Sequence, residues 1–387
     1  MIKYFTIIFF TFFLQGTISF SQGNIQPGAY DIPSYLPLLK NKNVIIVANQ
    51  TSVIGHTHIV DSLLKRQINI LRIFSPEHGF RGTASAGEKI DNSVDKKTGI
   101  PIISLYGNHK KPMAADLDSA DIVVFDIQDV GVRFYTYIST LQYVMESCAE
   151  NNIPLLLLDR PNPNGFYIDG PVLRPTFKSF IGMQPVPVVY GMTIGEYAKM
   201  LNGEHWLENG DTCDLTVIKC LNYTHDSLYK LPVPPSPNLP NMTAVYLYPS
   251  LGFFEGTIIS VGRGTKYPFQ VLGAPFLPKY KFTFTPKSCP AALKPKFMGQ
   301  KCYALNLQKD VEKILTKKQI NIGWLVQFSR YAKDKPGFFK KSFNLLAGND
   351  ELQKMLMKSK PEDAIRQSWQ KDLIKFKAIR AKYLLYP

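Results

Sequence analysis

The sequence predicts an α/β protein: a doubly wound, mainly parallel sheet followed by a smaller C-terminal α/β domain. Three observations predict it. Short apolar runs rich in β-branched residues recur through the first half of the chain, helix-like stretches lie between several of them, and the pattern changes from about residue 280 onward. The length of 387 residues suits one large or two medium domains with a substantial core and no need of disulfide or metal staples. With 45% hydrophobic and 19% charged residues, the composition excludes a disordered chain, a collagen-like repeat and a polytopic membrane protein.

In chain order, residues 1–21 come first. They hold Lys3, an apolar stretch from Tyr4 to Leu14 and the small-residue ending Ser19-Phe20-Ser21, the pattern of a secretory signal. Its apolar part falls short of the roughly 20 residues a spanning helix needs. A secreted or periplasmic protein without stable membrane insertion is therefore expected. Residues 22–240 form the main domain. The runs 44–48, 70–74, 102–105, 122–125 and 155–158 are nearly all apolar, as strands buried on both faces are. Residues 59–67 and 135–150 have helical character between them. The apolar run 186–190 follows, then Thr193 as a cap for a helix over 194–201, then a strand over 215–219. Five prolines in residues 231–240 rule out a helix and leave a rigid extended crossing. Residues 241–387 form the smaller domain, with strands over 281–285 and 303–307. Over 362–385, Ile365, Trp369, Leu373, Phe376 and Ile379 recur near the helical period.

The 45 basic and 30 acidic side chains give a net charge of +15. The lysines are spread thinly, with no run of four, so a nucleic-acid partner is not expected, whereas an anionic envelope or acidic substrate suits the field. The five cysteines are widely spaced. Cys213 with Cys220, or Cys289 with Cys302, are conceivable bridges, buried thiols are equally compatible, and no function is assigned to them.

In open parallel sheets ligands bind beyond the carboxyl ends of the strands. Four such ends are unusually polar here, carrying Asn49-Gln50-Thr51-Ser52, then Ser75-Pro76-Glu77-His78-Gly79, then Asp126 to Gly131 with Arg133 and Tyr135, and finally Asp159 to Gly165. The first turn has no glycine before Gly55, so a dinucleotide site is improbable. In Gly82-x4-Gly87-Glu88-Lys89 an acidic residue interrupts the Gly-Lys pair and would repel phosphates. No cofactor is expected. Glu77 follows a buried strand behind Pro76, and a partly buried carboxyl there suits a general acid, with a rim ion pair as the alternative. Asp126 and Asp129 stand three apart in a turn and face different partners, one holding Arg133 and the other the cleft. His56 and His58 form an H-x-H without a third ligand at fixed spacing, so no metal is expected. No G-x-S-x-G elbow occurs. Tyr106, Tyr135, Tyr137 and Tyr190 offer rings for a sugar or for packing.

These motifs form an ordered series: Asn49-Gln50-Thr51-Ser52; Ser75-Pro76-Glu77-His78-Gly79-Phe80-Arg81-Gly82; Phe125-Asp126-Ile127-Gln128-Asp129-Val130-Gly131-Val132-Arg133-Phe134-Tyr135-Thr136-Tyr137; Asp159-Arg160-Pro161-Asn162-Pro163; and Phe254-Glu255-Gly256-Thr257 with Gly262-Arg263-Gly264-Thr265. The series resembles the peptidoglycan exo-β-N-acetylmuramidases, glycoside hydrolase family 171, over nearly the whole mature chain. The resemblance implies a Rossmann-like domain, a smaller C-terminal domain and an active site in the cleft between them. It also implies removal of N-acetylmuramic acid from the non-reducing ends of peptidoglycan fragments, with Glu77 at the position of the family's cleft glutamate. The second participant is Asp126, Asp129 or Glu255 as nucleophile or base, or the substrate's own 2-acetamido group. Arg133, Arg160 and Arg263 are the candidates to receive the lactyl carboxylate of muramic acid, each with a structural tie to an aspartate as its alternative. Asn49, His78, Gln128, Tyr135, Tyr137 and Asn162 complete the expected substrate contacts. A non-catalytic peptidoglycan- or sugar-binding protein, or a metal-dependent hydrolase using His56 and His58, are the competing readings.

Overall fold

The computed structural model describes residues 23–77, 79–80, 92–332 and 335–387. The expected signal segment, His78 and the glycine-containing segment 82–89 lie outside the described residues.

Apolar runs buried on both faces make the central strands. They are β1 (Asn43–Ala48), β4 (Asn69–Ser75), β5 (Ser93–Val94), β6 (Pro101–Ser104), β7 (Ile122–Asp126), β8 (Leu155–Leu158) and β9 (Leu215–Ile218), with a small hairpin of β2 (Val53–Ile54) and β3 (Thr57–His58) after β1. The sheet runs in the order β5-β6-β4-β1-β7-β8-β9, and every pairing is parallel except β5 with β6. The chain starts in the middle, winds outward through β4 and β6, and returns to β7, β8 and β9 on the other side. That is the doubly wound order, and its switch point lies between β1 and β7.

The period of two along each strand assigns its residues to two layers. Val44, Ile46, Val124, Leu156 and Leu158 pack with Tyr35 and Leu39 of α1 (Ile32–Leu39) and with Ile59, Val60 and Leu63 of α2 (Ile59–Leu64). Ile45, Val47, Val123, Phe125, Leu155 and Leu157 pack on the opposite side, with α3 (Tyr137–Glu150) and α4 (Ile194–Gly203). Thr193 caps α4 as its sequence predicts: its hydroxyl accepts from Glu196 N (3.2 Å), and the Glu196 carboxylate accepts from Thr193 N (2.9 Å).

The apolar run 186–190 joins no strand and makes only isolated bridges from Val189 to Val132 and Asp169. Pro185 and Pro187 lack the N–H groups a ladder needs. The C-terminal half begins with α5 (Met242–Leu251). It then builds a three-stranded antiparallel sheet, β10 (Val271–Ala274), β12 (Cys302–Asn306) and β11 (Phe282–Phe284) in spatial order. Around it lie α6 (Val311–Lys317), α7 (Gly323–Ser329), α8 (Ser342–Ala347) and α9 (Glu351–Met357). The expected tail helix is two, α10 (Glu362–Ser368) and α11 (Gln370–Arg380), which meet at Trp369 (φ −106°, ψ 0°), whose indole donates to buried Asp169 (3.2 Å). One apolar cluster runs from Val47 and Phe125 through Val245 and Leu247 of α5 to Phe328, Trp369 and Phe376, so the two halves share a core. All five cysteines are free, and neither bridge considered from the sequence is formed.

Candidate active site

At the switch point the polar strand ends fold onto one another. Asn49 Oδ1 accepts from Thr51 N (2.9 Å) and Thr51 Oγ1 (2.6 Å), and Ser52 Oγ donates to the Asp126 carbonyl. Gln128 N donates to Thr51 Oγ1 (3.1 Å), and its side-chain amide donates to the carbonyls of Asp129 and Pro161 (both 2.8 Å). Asp126 is gripped by Arg160 through Nε (2.6 Å) and Nη2 (2.9 Å), both side chains being buried. Asn162 donates to Met192 O (2.8 Å) and accepts from Asn164 N (2.8 Å). It packs so tightly on Gly131, which has φ +73°, that any side chain there would collide with it.

These residues form the floor of the cleft rather than its lining. Asn49, Gln128 and Asn162 were expected to touch substrate, and instead they hold the strand ends together. Asp126 and Arg160 neutralise each other in a dry pair. Arg133 also corrects its expectation. It pairs with neither Asp126 nor Asp129, and its fully buried guanidinium donates to the carbonyls of Pro171 and Val186 (both 2.7 Å) and of Leu346 (2.9 Å). Burial lowers its pKa to about 9. Asp129 is buried as well, accepting from Gly131 N (2.6 Å) and from the Tyr190 hydroxyl. Burial pushes its carboxyl up to about 6. Tyr190 is thereby a packing residue behind the site.

Above this floor lies a cavity of about 220 Å³. The sheet contributes Glu77, Tyr106, and Phe134 to Tyr137 at the start of α3, while the proline-rich crossing contributes Ser236, Asn238 and Leu239. Tyr248, Glu255, Arg263, Phe269 and Leu346 come from the C-terminal half. Glu77 is half-buried. Its Oε1 accepts from Tyr106 Oη (3.3 Å), its Oε2 from Thr136 Oγ1 (3.2 Å), and its carbonyl from Tyr137 Oη (3.4 Å). Tyr135 packs edge-to-face on Tyr137 (4.8 Å) and on Tyr248 (6.0 Å), and Tyr248 on Phe269 (4.9 Å), which makes an aromatic wall. The proline crossing is pinned over the cleft by two donors to Pro235 O, Tyr135 Oη (2.7 Å) and Gln50 Nε2 (3.1 Å).

From the C-terminal half, Arg263 meets Glu255 Oε1 through Nε (2.9 Å) and Nη2 (2.7 Å) and lies over the Phe269 ring (5.0 Å). Burial opposes the charge on Arg263, but the Glu255 carboxylate outweighs it and holds the guanidinium pKa above its ordinary value. The cavity thus presents a half-buried carboxyl among hydroxyls, stacking surfaces for a sugar and a fixed cation for an anionic substituent. His56 is exposed, and His58 caps α2, its Nδ1 accepting from Val60 N (3.3 Å). Among the described residues no group of three or more His, Cys, Asp or Glu side chains is placed to hold a metal ion.

Of the residues singled out in the sequence, the strand ends bring Glu77, Tyr106, Tyr135 and Tyr137 to this cavity, and Glu255 and Arg263, named through the family resemblance, line it too. Phe134, Ser236, Asn238, Tyr248, Phe269 and Leu346 were missed. For Ser236 and Asn238 a signal existed, since a proline-stiffened crossing after the last sheet strand has to pass over the strand ends.

The fold is that of a two-domain α/β protein, and its relatives make the class a glycosidase. The chain belongs to the exo-β-N-acetylmuramidase NamZ family, whose N-terminal model matches residues 44–243 and whose C-terminal model matches residues 246–386. It is 38% identical over 377 residues to the peptidoglycan β-N-acetylmuramidase NamZ of Bacillus subtilis strain 168, covering 92% of this chain and 89% of that protein. Two crystal structures of DUF1343 family proteins from Bacteroides fragilis NCTC 9343 share the fold. One has a TM-score of 0.87 at 46% identity and the other 0.77 at 27%, each covering 94% of this chain and 99% of its own.

Proposed function

We propose that this glycosidase removes N-acetylmuramic acid from the non-reducing ends of peptidoglycan fragments, such as the disaccharide with N-acetylglucosamine, and that Glu77 is the general acid. The observation that carries the reading is that Glu77 and the Glu255–Arg263 pair line one aromatic cavity. Glu77 protonates the glycosidic oxygen as its bond to C1 breaks, and the leaving sugar departs as an alcohol. Asp126 is committed to Arg160, Asp129 to Tyr190 and Gly131, and Glu255 to Arg263. Attack on C1 therefore falls to the substrate's own 2-acetamido oxygen. Water then opens the resulting ring, giving up its proton to Glu77. Export by the segment at residues 1–21, and action on wall fragments outside the cytoplasm, belong to the same proposal.

Arg263 receives the lactyl carboxylate, the group that separates muramic acid from glucosamine. A charge-assisted hydrogen bond is worth about 1.5–3 kcal/mol, which is about 10- to 100-fold in rate ratio. Wild type should prefer a chromogenic β-N-acetylmuramide over the matching β-N-acetylglucosaminide, and Arg263→Gln should lose about that factor of preference. Equal hydrolysis of both glycosides by the wild type would overturn the assignment of muramic acid.

A further inference from the structure

The connection between β11 and β12 braces the far wall of the cleft at three points. Ala291 O accepts from the Asn238 amide (2.7 Å), and Lys287 N donates to Gly264 O (2.9 Å), one residue from Arg263. The third point is Lys296, whose Nζ meets four carbonyls, those of Phe254 (3.0 Å), Glu255 (3.3 Å), Thr257 (2.6 Å) and Ile259 (3.0 Å). They converge where the short helical turn Gly252–Gly256 ends, and carbonyls at a helix end need donors from elsewhere. An ammonium group brings three. The segment so held carries Glu255, and Glu255 fixes Arg263.

We propose that Lys296 is a positioning residue for the glycosidase reaction: its ammonium clamps the segment 254–259 and, through Glu255, aims Arg263 into the cleft. The proposal rests on Arg263 as the receptor of the substrate's carboxylate. Lys296 is not among the residues lining the cavity, and it acts only through the backbone it holds. The charged groups facing it are Lys340, Glu255 and Arg263. Burial foremost, with the charges of Lys340 and Arg263 and against that of Glu255, lowers the Lys296 pKa to about 7. Deprotonation leaves two N–H donors for four carbonyls. Activity therefore declines as the pH rises through about 7.

The test is the pH profile of kcat/KM on a chromogenic β-N-acetylmuramide for the full chain and three variants. Wild type should show an alkaline limb near pH 7. Lys340→Gln removes an exposed positive neighbour, so it should move that limb to higher pH. Lys296→Arg stays charged throughout, so any alkaline limb left in it belongs to the general acid Glu77 and should not move when Lys340→Gln is added, while Lys296→Met should lower kcat/KM about tenfold or more at pH 6 with an unchanged circular dichroism spectrum. A limb that persists unchanged in Lys296→Arg and does not move in Lys340→Gln overturns the proposal, and these two variants decide it even if Lys296→Met fails to fold. Failure of the Arg263 reading looks different: Arg263→Gln would keep the wild-type preference for muramide while the limb still followed Lys296 and Lys340.

Discussion

Asp129 binds its proton more tightly in the folded chain than in the unfolded one, because burial raises its carboxyl from an ordinary 3.8 to about 6. Its contribution to stability is therefore complete below about pH 4 and is lost as the pH rises through about 6. Asp129→Asn removes that titration and keeps an oxygen to accept from Tyr190 and Gly131. Between pH 4 and 7 the melting temperature of the variant should gain steadily on that of the wild type, and a constant difference would contradict the assignment. Asp159, also pushed up to about 6 by burial, is present in both proteins and cancels in the comparison. At this scale the sequence showed which residues stand at strand ends, but not which of them face solvent. Asp126 and Arg160 each resemble a functional residue until the neighbouring strand ends bring them together. Lys296 is one of 45 basic residues and works on backbone carbonyls, which no side-chain pattern displays.

The α4 helix illustrates an element whose start was legible. Thr193 accepts from Glu196 N and also donates to Asp159 Oδ2 (2.7 Å), so its hydroxyl ties the helix to the end of β8. Thr193→Ala should lower the unfolding free energy by about 1–2 kcal/mol in urea titrations, with Thr193→Ser recovering most of it. A loss below about 0.5 kcal/mol would mean the cap carries no stability. The parallel strands were legible for a related reason, since burial on both faces leaves no room for polar residues within 44–48, 122–125 or 155–158. The less legible elements are those where tertiary contacts override the local pattern. The run 186–190 has strand composition but prolines where a ladder needs donors. In the tail, a regular helical period conceals the break at Trp369, which turns inward to reach Asp169. The α5 helix contains Pro249 and follows a proline-rich crossing, so its local sequence argues against the helix that buries Val245 and Leu247.

Across the whole molecule, the cleft exists because two halves with one continuous core meet above the strand ends. Arg133 ties α8 to the main domain through Leu346 O. The last residues return to the end of β8, where Tyr386 Oη donates to Asp159 (2.6 Å), and to α4, where Leu385 N donates to Glu196 (2.7 Å). These ties hold together the two halves whose residues Glu77, Glu255 and Arg263 line one cavity. The central claim is that Glu77 protonates the departing oxygen within this cleft. Its most direct test compares wild type and Glu77→Gln on two β-N-acetylmuramides, one whose leaving group needs a proton and one carrying 2,4-dinitrophenol, which does not. Glu77→Gln should lose about 10²- to 10⁴-fold in kcat/KM on the first and less than about tenfold on the second. Equal losses on both substrates, or none on either, would contradict the assignment of Glu77 as the acid.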